Sequence, residues 1–458
     1  MTGENQMRPQ SGLNALLART PFFYGWAVVA IIFITMGIGV NVRTAYSLLF
    51  PAILNEFGWD RATTAAAFSI GFVVGALLAP VIGKLLEFIA PRFMISASAI
   101  LVSLGLVLST FATEPWHLYL TLGILVVGSG IVMTYVGHSM FLPNWFQRRR
   151  GLAVGIAFSG VGIGAIILMP IIQETISANG WREACWLMAG LLMIIVLPLN
   201  FFLQRKQPSD IGLHPDGDSA PGEAQTAAQQ AAADPVVDHG WVNTDWTLPK
   251  AVKTGCFWWL ALACASGLYV WYAVQIHQTK YLIEIGFSDI AAASALGLVG
   301  LAGVIGQIYL GNLSDKVGRE WVWTLSMAGF ILSCILLLVM ENVPSAVMMY
   351  AMVILQGGLG YGVATVFGAM PADLFQGRGY GLIFGVVSTL ALFGGAIGPW
   401  LTGFFYDQAG NYHLAFYVIL GMSVLSILSV WLAAPRKKRL VAGQARKRAM
   451  MLMAAENR

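Results

Sequence analysis

Twelve apolar runs, each long enough to cross a bilayer as a helix, leave this sequence few alternatives for its fold. Of its 458 residues, 57% are hydrophobic and 10% are charged, a composition that excludes a soluble domain of this length. Because lipid cannot satisfy backbone hydrogen bonds, spans of this kind are expected to be α-helices. The sequence therefore predicts an all-α polytopic membrane protein. The runs cover 22–50, 63–84, 93–112, 117–142, 151–176, 183–203, 255–283, 289–312, 321–341, 345–371, 379–405 and 411–434.

Lysine and arginine are distributed unevenly between the loops. Of the 26 in the sequence, 22 lie in the N-terminus, in or at the edge of the even-numbered loops, and in the C-terminal tail, and three lie in or at the edge of the odd-numbered loops. The positive-inside rule then predicts that both termini and the even-numbered loops are cytoplasmic. The remaining cation is Arg43, which lies within the first run.

One long polar segment separates the first six runs from the last six. It contains the stretch 223–234, rich in alanine and glutamine, which has too few apolar residues to form a core. The predicted organisation is therefore a cytoplasmic N-terminus, a six-helix bundle, a cytoplasmic linker, a second six-helix bundle and a basic cytoplasmic tail, at 1–21, 22–203, 204–253, 254–434 and 435–458.

The two halves repeat each other at a nearly constant spacing. Gly75 matches Gly303, Gly83 matches Gly311 and Glu87 matches Asp315 at an offset of 228, and Gly151 matches Gly381 and Gly155 matches Gly385 at an offset of 230. Because six spans separate the copies, they have the same orientation in the membrane. This is the parallel-repeat organisation of a two-bundle secondary transporter.

Arg43 is the fixed charge that most needs an explanation. A helix begun at Gly25 reaches it after roughly 27 Å, which is past the bilayer midplane but still inside the membrane. A charge at this depth costs about 2.5–3.5 kcal/mol on insertion scales, so it usually faces a bundle interior or binds a ligand. Tyr46 lies on the same helical stripe, and the two side chains predict an anion site. The alternatives are that Arg43 snorkels to the outer interface or neutralises a buried partner.

The loop after the eighth run carries the most specific motif. It reads Gly311-Asn312-Leu313-Ser314-Asp315-Lys316-Val317-Gly318-Arg319. This pattern resembles the cytoplasmic signature of the major facilitator superfamily, and the first-half copy, which begins at Gly83 and includes Glu87, is degenerate. The resemblance implies twelve transmembrane helices in two six-helix bundles. It also implies that these loops form a conformational latch, for which packing of the loops alone is the alternative. The implied latch residues are Gly311, Asp315, Lys316, Gly318, Arg319, Gly83 and Glu87.

Four further segments narrow the resemblance. They are Phe23-Tyr24-Gly25-Trp26, Trp145-Phe146-Gln147-Arg148-Arg149-Arg150-Gly151, the proline- and glycine-rich 208–217, and Pro371-Ala372-Asp373-Leu374-Phe375. Together they are similar to the monocarboxylate transporter group, and most of all to its bacterial branch, often labelled oxalate/formate antiporter-like. In that group a basic residue at the place of Arg43 receives the substrate carboxylate or takes part in proton coupling.

The sequence also departs from that group. Members with an acidic and basic pair in the eighth span have it where this chain has Gly303 and Gln307, and the eleventh run here has no lysine. A proton must then be carried elsewhere, and histidine is the natural candidate because its ordinary pKa lies near neutrality. His277 in the seventh run and His138 in the fourth are the proton-coupling candidates. The alternative for each is a hydrogen bond to a neighbouring helix.

The remaining candidates come from the cavity that the resemblance implies between the first, fourth, seventh and tenth spans. In the repeat, Trp271 occupies the place of Arg43, which predicts a cation on one wall and an indole on the other. Small residues of the tenth run are equally typical of close helix packing. The predicted substrate-binding residues are Arg43, Tyr46, Tyr135, Trp271, Gln275 and Tyr361.

The sequence gives little support for a nucleic-acid-binding protein or an enzyme. The basic run Arg148–Arg150 is interpreted as a topogenic loop signal and not as a nucleic-acid site. The sequence has no phosphate loop, paired metal ligands or nucleophile elbow, so it predicts no enzyme, no metal and no cofactor.

The leading hypothesis is a secondary active transporter of a small organic anion, a monocarboxylate above all, working by proton symport and alternating access. The alternatives are a transporter of a neutral molecule such as a vitamin or heterocycle, an anion exchanger and, least favoured, a membrane sensor without transport. The expected partners are the substrate anion, protons and membrane lipids. A monomer is expected, in a bacterial inner membrane with both termini cytoplasmic.

Overall fold

All twelve predicted spans are helical. The structure is a computed structural model and describes residues 20–59, 61–217 and 236–456, with Gly12 and Leu17. Within that part of the chain, twelve helices are long and apolar enough to cross a membrane, which confirms the predicted fold class. The stretch 223–234 and most of the N-terminal segment lie outside the described residues. The helices are α1 Gly25–Phe57, α2 Ala66–Phe88, α3 Pro91–Ser109, α4 Pro115–Asn144, α5 Arg150–Asn179, α6 Trp181–Leu203, α7 Gly255–Glu284, α8 Ser294–Val317, α9 Arg319–Met340, α10 Ala346–Leu374, α11 Tyr380–Ala409 and α12 His413–Lys437.

The helices form two halves, α1–α6 and α7–α12, that meet along two seams. At one seam α2 packs against α11, and at the other α5 packs against α8. The loops that follow the even-numbered helices share a face with the linker, and this side is called the linker face below. The other side is called the opposite face.

The sequence repeat reappears as two equivalent contacts at the linker face. A Cβ on Gly381 would lie 2.4 Å from the carbonyl oxygen of Gly83, and a Cβ on Gly151 would lie 2.4 Å from the carbonyl oxygen of Gly311. These are the same repeat positions, exchanged between the halves. Because no side chain fits in so short a gap, glycine at these positions allows the backbones to touch. The linker face is therefore closed in this conformation.

A second pair of contacts continues both seams into the membrane. A Cβ on Gly155 would lie 2.3 Å from the carbonyl oxygen of Gln307, and one on Gly385 would lie 2.6 Å from that of Ala79. In the repeat, Gly155 corresponds to Gly385 and Ala79 to Gln307. The two halves are thus related by an internal pseudo-twofold axis, as the matched glycines predict.

The described ends of the linker are attached to corresponding loops of the two halves. Asp216 accepts hydrogen bonds from the N–H groups of Gln147 (3.0 Å) and Arg148 (2.9 Å) in the loop between α4 and α5. In the other half, the Trp241 indole donates to the carbonyl oxygen of Leu374 at 2.7 Å, at the end of α10. Each half of the linker therefore covers one loop next to a seam.

The C-terminal tail completes the linker face. Lys438 forms an ion pair of 2.8 Å with Asp238, which ties the tail to the linker. The tail continues as the helix Ala442–Glu456, whose Gln444 donates to the carbonyl oxygen of Val317 at 2.7 Å. The linker, the tail and the loop after α8 therefore form one connected layer.

Candidate functional site

Arg43 lies where α1 is interrupted. The helix runs over Gly25–Thr44 and resumes at Tyr46, so the arginine is in the last turn of the first segment. Its guanidinium carbon lies 4.5 Å from the centre of the Phe72 ring in α2. Among the described residues Arg43 forms no ion pair, and its Nε has no hydrogen-bond partner. A cation over an aromatic ring gains about 0.5–2 kcal/mol, which does not offset an insertion cost of about 2.5–3.5 kcal/mol.

Tyr272 of α7 faces Arg43 from the other half of the protein. The hydroxyl of Tyr272 interacts electrostatically with the Arg43 guanidinium and with the hydroxyls of Tyr135 and Tyr361. All four side chains keep some accessible surface although they lie deep between the halves. Side chains that are enclosed and yet partly accessible line a space. This places the arginine and three phenols around one central region.

Aromatic rings from both halves line this region. Trp271 and Tyr361 pack with ring centres 4.3 Å apart, and Gln275 Nε2 donates to the Tyr361 hydroxyl at 3.4 Å. On the side of the first half, Tyr135 meets Phe158 of α5 edge-on at 5.0 Å. We call Tyr135, Phe158, Trp271, Tyr272 and Tyr361 the aromatic wall. It offers apolar ring surface with hydroxyl and amide groups beside it.

Interruptions in two helices position this wall. In α4, Thr134 is extended, with φ −99° and ψ −174°, and the helix restarts at Tyr135. In α10, the wide π-helical turn Ile354–Gly360 ends directly before Tyr361. Such turns are frequent at functional sites because they re-aim side chains and loosen backbone hydrogen bonds. Both tyrosines therefore owe their direction to a local departure from regular α-helix.

The Tyr361 ring leaves no room for a side chain at position 303, one of the two positions of the acidic and basic pair. A Cβ at this position would lie 2.4 Å from a ring carbon of Tyr361. The tyrosine ring thus occupies the space that a side chain on α8 would need. Gln307, one turn further along, is 3% exposed, and its backbone carbonyl oxygen accepts a hydrogen bond from the Thr365 hydroxyl at 3.2 Å.

Tyr46 lies apart from the other predicted substrate-binding residues. Its ring stacks on Phe68 of α2 at 5.5 Å, and its hydroxyl donates to the carbonyl oxygen of Thr64. Only 6% of its surface is accessible. The structure therefore brings together Arg43, Tyr135, Trp271, Gln275 and Tyr361, and it places Tyr46 in the packing between α1 and α2.

The two histidines have different surroundings. His277 Nε2 donates to the carbonyl oxygen of Pro399 at 2.9 Å, so its Nδ1 can accept from the Tyr412 hydroxyl at 3.3 Å. His138 is fully buried, and its Nδ1 donates to the carbonyl oxygen of Thr134 at 3.0 Å. In the part of the chain that the structure describes, His138 Nε2 has no hydrogen-bond partner. His277 thus links α7 to α11 and to the residue before α12, whereas the Nε2 of His138 makes no hydrogen bond within the described residues.

The last turn of α8 makes charged contacts across the seam. The Asp315 carboxylate accepts from the N–H groups of Gly151 (2.8 Å) and Leu152 (2.9 Å), at the start of α5 in the other half. The exposed N–H groups and the dipole of a helix N-terminus favour a carboxylate there. Arg319 forms ion pairs of 2.8 Å with Asp315 and with Asp373 of α10. Asp315 therefore connects the two halves, and Arg319 holds the Asp315 carboxylate in place from within the second half.

Arg150 completes this network. Its guanidinium pairs with Asp373, and the arginine is 2% exposed. The interpretation of Arg148–Arg150 as a topogenic signal did not predict this contact of Arg150, whereas the other two arginines are exposed. A cation is buried here because an acidic partner approaches it from the second half, which a loop sequence does not reveal.

The other predicted latch residues play local parts. Glu87, the repeat equivalent of Asp315, pairs with Lys84 at 2.7 Å within its own half. Gly318 has a φ of +115°, which glycine adopts without strain, and it begins α9. The Lys316 side chain is exposed. The latch is therefore asymmetric, with its charged contacts concentrated at the seam between α5 and α8.

Comparison with known proteins agrees with this architecture. A sequence model described as Major Facilitator Superfamily matches residues 27–363 and 280–454, nearly the whole chain. The chain belongs to this superfamily. It is a membrane transporter of the superfamily and not an enzyme.

Curated relatives and solved structures are also similar to this chain over most of its length. The chain is 27% identical to monocarboxylate transporter 13 of Bos taurus over 420 residues, covering 90% of this chain and 89% of the relative. It is 26% identical to human monocarboxylate transporter 12, covering 88% and 78%. The solved structure of the Escherichia coli fucose:proton symporter FucP matches with a TM-score of 0.65 at 16% identity, covering 89% and 98%. A double tryptophan mutant of XylE matches with a TM-score of 0.72 at 13% identity, covering 93% and 98%.

Several site residues of this superfamily member were not predicted from the sequence. Tyr272 follows Trp271, and the repeat drew attention to the tryptophan alone. Phe72 has no signal in an apolar run, since its role depends on which face of α2 meets Arg43. Asp373 is present in a segment that carries the resemblance, but only contact with Arg150 and Arg319 shows what it does.

Proposed function

We propose that this protein transports a small monocarboxylate by alternating access, coupled to proton symport. The observation that carries the proposal is Arg43, a cation between the halves that has no ion-pair partner among the described residues. A substrate carboxylate would supply the missing charge and accept the guanidinium hydrogen bonds. A hydrogen bond to a charged group contributes about 1.5–3 kcal/mol, enough to favour the anion over a neutral analogue.

The aromatic wall suggests the rest of the substrate. Tyr135, Tyr272 and Tyr361 carry hydroxyl groups, and Trp271 offers apolar surface, while the buried Phe158 ring supports Tyr135 from behind. A carboxylate at Arg43 would leave its body against these rings. The proposed substrate is therefore a monoanion with an apolar or aromatic body, and a second charged group would have no cation to meet in this wall.

His138 is the proposed proton carrier. Its Nε2 has no partner in the described chain, and it follows Thr134 and Tyr135 in α4, next to the wall. Protonation of this nitrogen would add a positive charge near the bound anion, so the two ligands would support each other's binding. The bonded nitrogens of His277 make it the weaker candidate. We also propose that the linker face is cytoplasmic, because the even-numbered loops carry most of the lysine and arginine.

Arg43 variants test the proposal directly. We expect Arg43→Gln to abolish uptake of radiolabelled monocarboxylates into proteoliposomes, and Arg43→Lys to retain a fraction, because lysine keeps the charge but not the planar fork. Arg149→Gln is the matched control, since it removes an exposed cation from the linker face. Unchanged uptake by Arg43→Gln would contradict the proposal.

A neutral substrate is the second candidate, because the wall alone could hold a heterocycle through stacking and the Gln275 amide. Counterflow against a panel of carboxylates and vitamins, with and without a pH gradient, separates the two. Competition by carboxylates and stimulation by an acidic outside support a proton-coupled anion carrier. Competition by neutral compounds alone supports the second candidate.

A further inference from the structure

A basic pocket lies at the linker face of the first half, away from the central region and from the charged contacts between α5 and α8, and its lining includes Glu87. It is lined by residues from the end of α2, the start of α3 and the segment after α6, and it encloses about 280 Å³. Three of the lining residues are the cations Arg92, Arg205 and Lys206. Nothing in the proposed transport mechanism uses this pocket.

The acidic residues in the pocket are already engaged. One Asp210 oxygen accepts from the N–H groups of Lys206 (2.9 Å) and Gln207 (3.1 Å). Glu87 pairs with Lys84 at 2.7 Å. Arg92, by contrast, packs over the ring of its neighbour Phe93, whose centre lies 4.5 Å from the guanidinium carbon. It forms no ion pair within the described residues. The pocket therefore has cationic capacity that the protein does not neutralise.

The cations crowd each other and are partly withdrawn from water. Burial lowers the pKa of Lys206, and burial together with the charge of Arg92 lowers the pKa of Arg205. Lys206 Nζ donates to the carbonyl oxygen of Leu86 at 2.5 Å, which holds it at the end of α2. The pocket also contains the N-terminus of α3, where Ala90 is extended and makes no side-chain cap. An anion would relieve the repulsion and meet the helix dipole.

Exposed aromatic side chains surround the pocket on its outer side. Phe88 is 76% exposed at the end of α2, Phe93 lies at the start of α3, and Phe201 and Phe202 lie at the end of α6 with rings 5.2 Å apart. These are the ends of membrane-crossing helices, at the level where headgroups meet acyl chains. A free phosphate ion would not use this apolar surface, whereas a phospholipid would cover it with its chains.

We propose that this basic pocket binds the phosphate headgroup of an anionic phospholipid from the leaflet at the linker face. Arg92, Arg205 and Lys206 contact the phosphate, and the acyl chains lie along the phenylalanines. The site is distinct from the basic tail, which follows α12 in the second half.

Native mass spectrometry of the full chain, delipidated and then mixed with phosphatidylglycerol or phosphatidylcholine, tests this proposal. Each basic residue near an anionic surface is worth about 1 kcal/mol, so the charge reversal Arg92→Glu should reduce phosphatidylglycerol retention roughly 10- to 30-fold. Phosphatidylcholine retention should not change. Arg149→Glu is the matched control, because it reverses an exposed cation on the same face outside the pocket.

Two outcomes overturn the proposal. One is equal retention of phosphatidylglycerol by wild type and Arg92→Glu, with circular dichroism and melting temperature showing that both are folded. The other is full displacement of phosphatidylglycerol by millimolar inorganic phosphate, which would identify a free-anion site. If Arg92→Glu does not fold, Arg92→Gln replaces it, with the same readouts and a smaller expected loss.

Discussion

Arg150 in the first half and Asp373 in the second half form a buried ion pair that spans the closed linker face. Arg319 shares the same carboxyl group at 2.8 Å and links it to Asp315, which holds the N-terminus of α5. Two arginines and two aspartates thus neutralise one another where water is excluded. Breaking a buried pair by removing one partner typically costs about 3–5 kcal/mol, so the network can bias the equilibrium between closed and open states.

Asp373→Asn should open the linker face. The substitution leaves two buried guanidinium groups with one carboxylate, and separation of the halves would let water reach them. Spin labels at Arg149→Cys and Lys316→Cys, in a background without the four native cysteines, report the distance between the halves. We expect a longer distance in Asp373→Asn and no change in Asp407→Asn, which alters an exposed carboxyl group. An identical distance distribution in both would show that the network does not hold the face closed.

Gly381→Ala should prevent closure by sterics alone. The added methyl group would lie 2.4 Å from the Gly83 carbonyl oxygen, so the two backbones must separate. In a helix interior, alanine is favoured over glycine by about 1 kcal/mol, so the isolated helix should not suffer. We expect at least tenfold slower counterflow with normal expression. Gly421→Ala in α12, where nothing lies within 4 Å, is the control and should transport normally.

Gly303→Ala tests the aromatic wall. The new Cβ would displace the Tyr361 ring, and with it the contacts to Trp271 and Gln275. We expect the KM for substrate to rise about tenfold, equivalent to about 1.4 kcal/mol of binding. Gly300→Ala, on the same helix with no atom within 4 Å, should leave KM unchanged. In a Tyr361→Ala background the Gly303→Ala substitution should have little further effect, and additive effects would place the two residues in separate mechanisms.

Substitutions of the two histidines should affect different properties: His277 the stability of the protein and His138 the coupling of transport to protons. His277→Gln loses two side-chain contacts, each worth about 1 kcal/mol, so the melting temperature should fall while the pH profile of uptake is kept. His138→Gln should retain counterflow but lose accumulation driven by an acidic outside, because no proton can be taken up at Nε2. Reversed results for the two variants would transfer the coupling role to His277. Intact proton-driven uptake in both would remove histidine from the mechanism.

Much of the fold could be predicted from residues alone. The apolar runs specify the helices because a backbone in lipid must bond to itself, and the spaced glycines specify which helices repeat. The asymmetry of the latch could not be predicted. Glu87 and Asp315 occupy equivalent places, but only Asp315 faces a helix N-terminus of the other half, and this depends on the packing of α8 on α5.

The candidate site shows the same division. Arg43 can be identified from the sequence alone because a charge within an apolar run carries a free-energy cost that must be offset. Its neighbours Tyr272 and Phe72 are ordinary residues of apolar helices, and Tyr46, on the same stripe, turns to a backbone carbonyl instead. Spacing along a chain specifies the helices and the charge they must accommodate. Which side chains meet that charge depends on how the packed helices are rotated and on the breaks at Thr134 and Gly360, which only the tertiary structure shows.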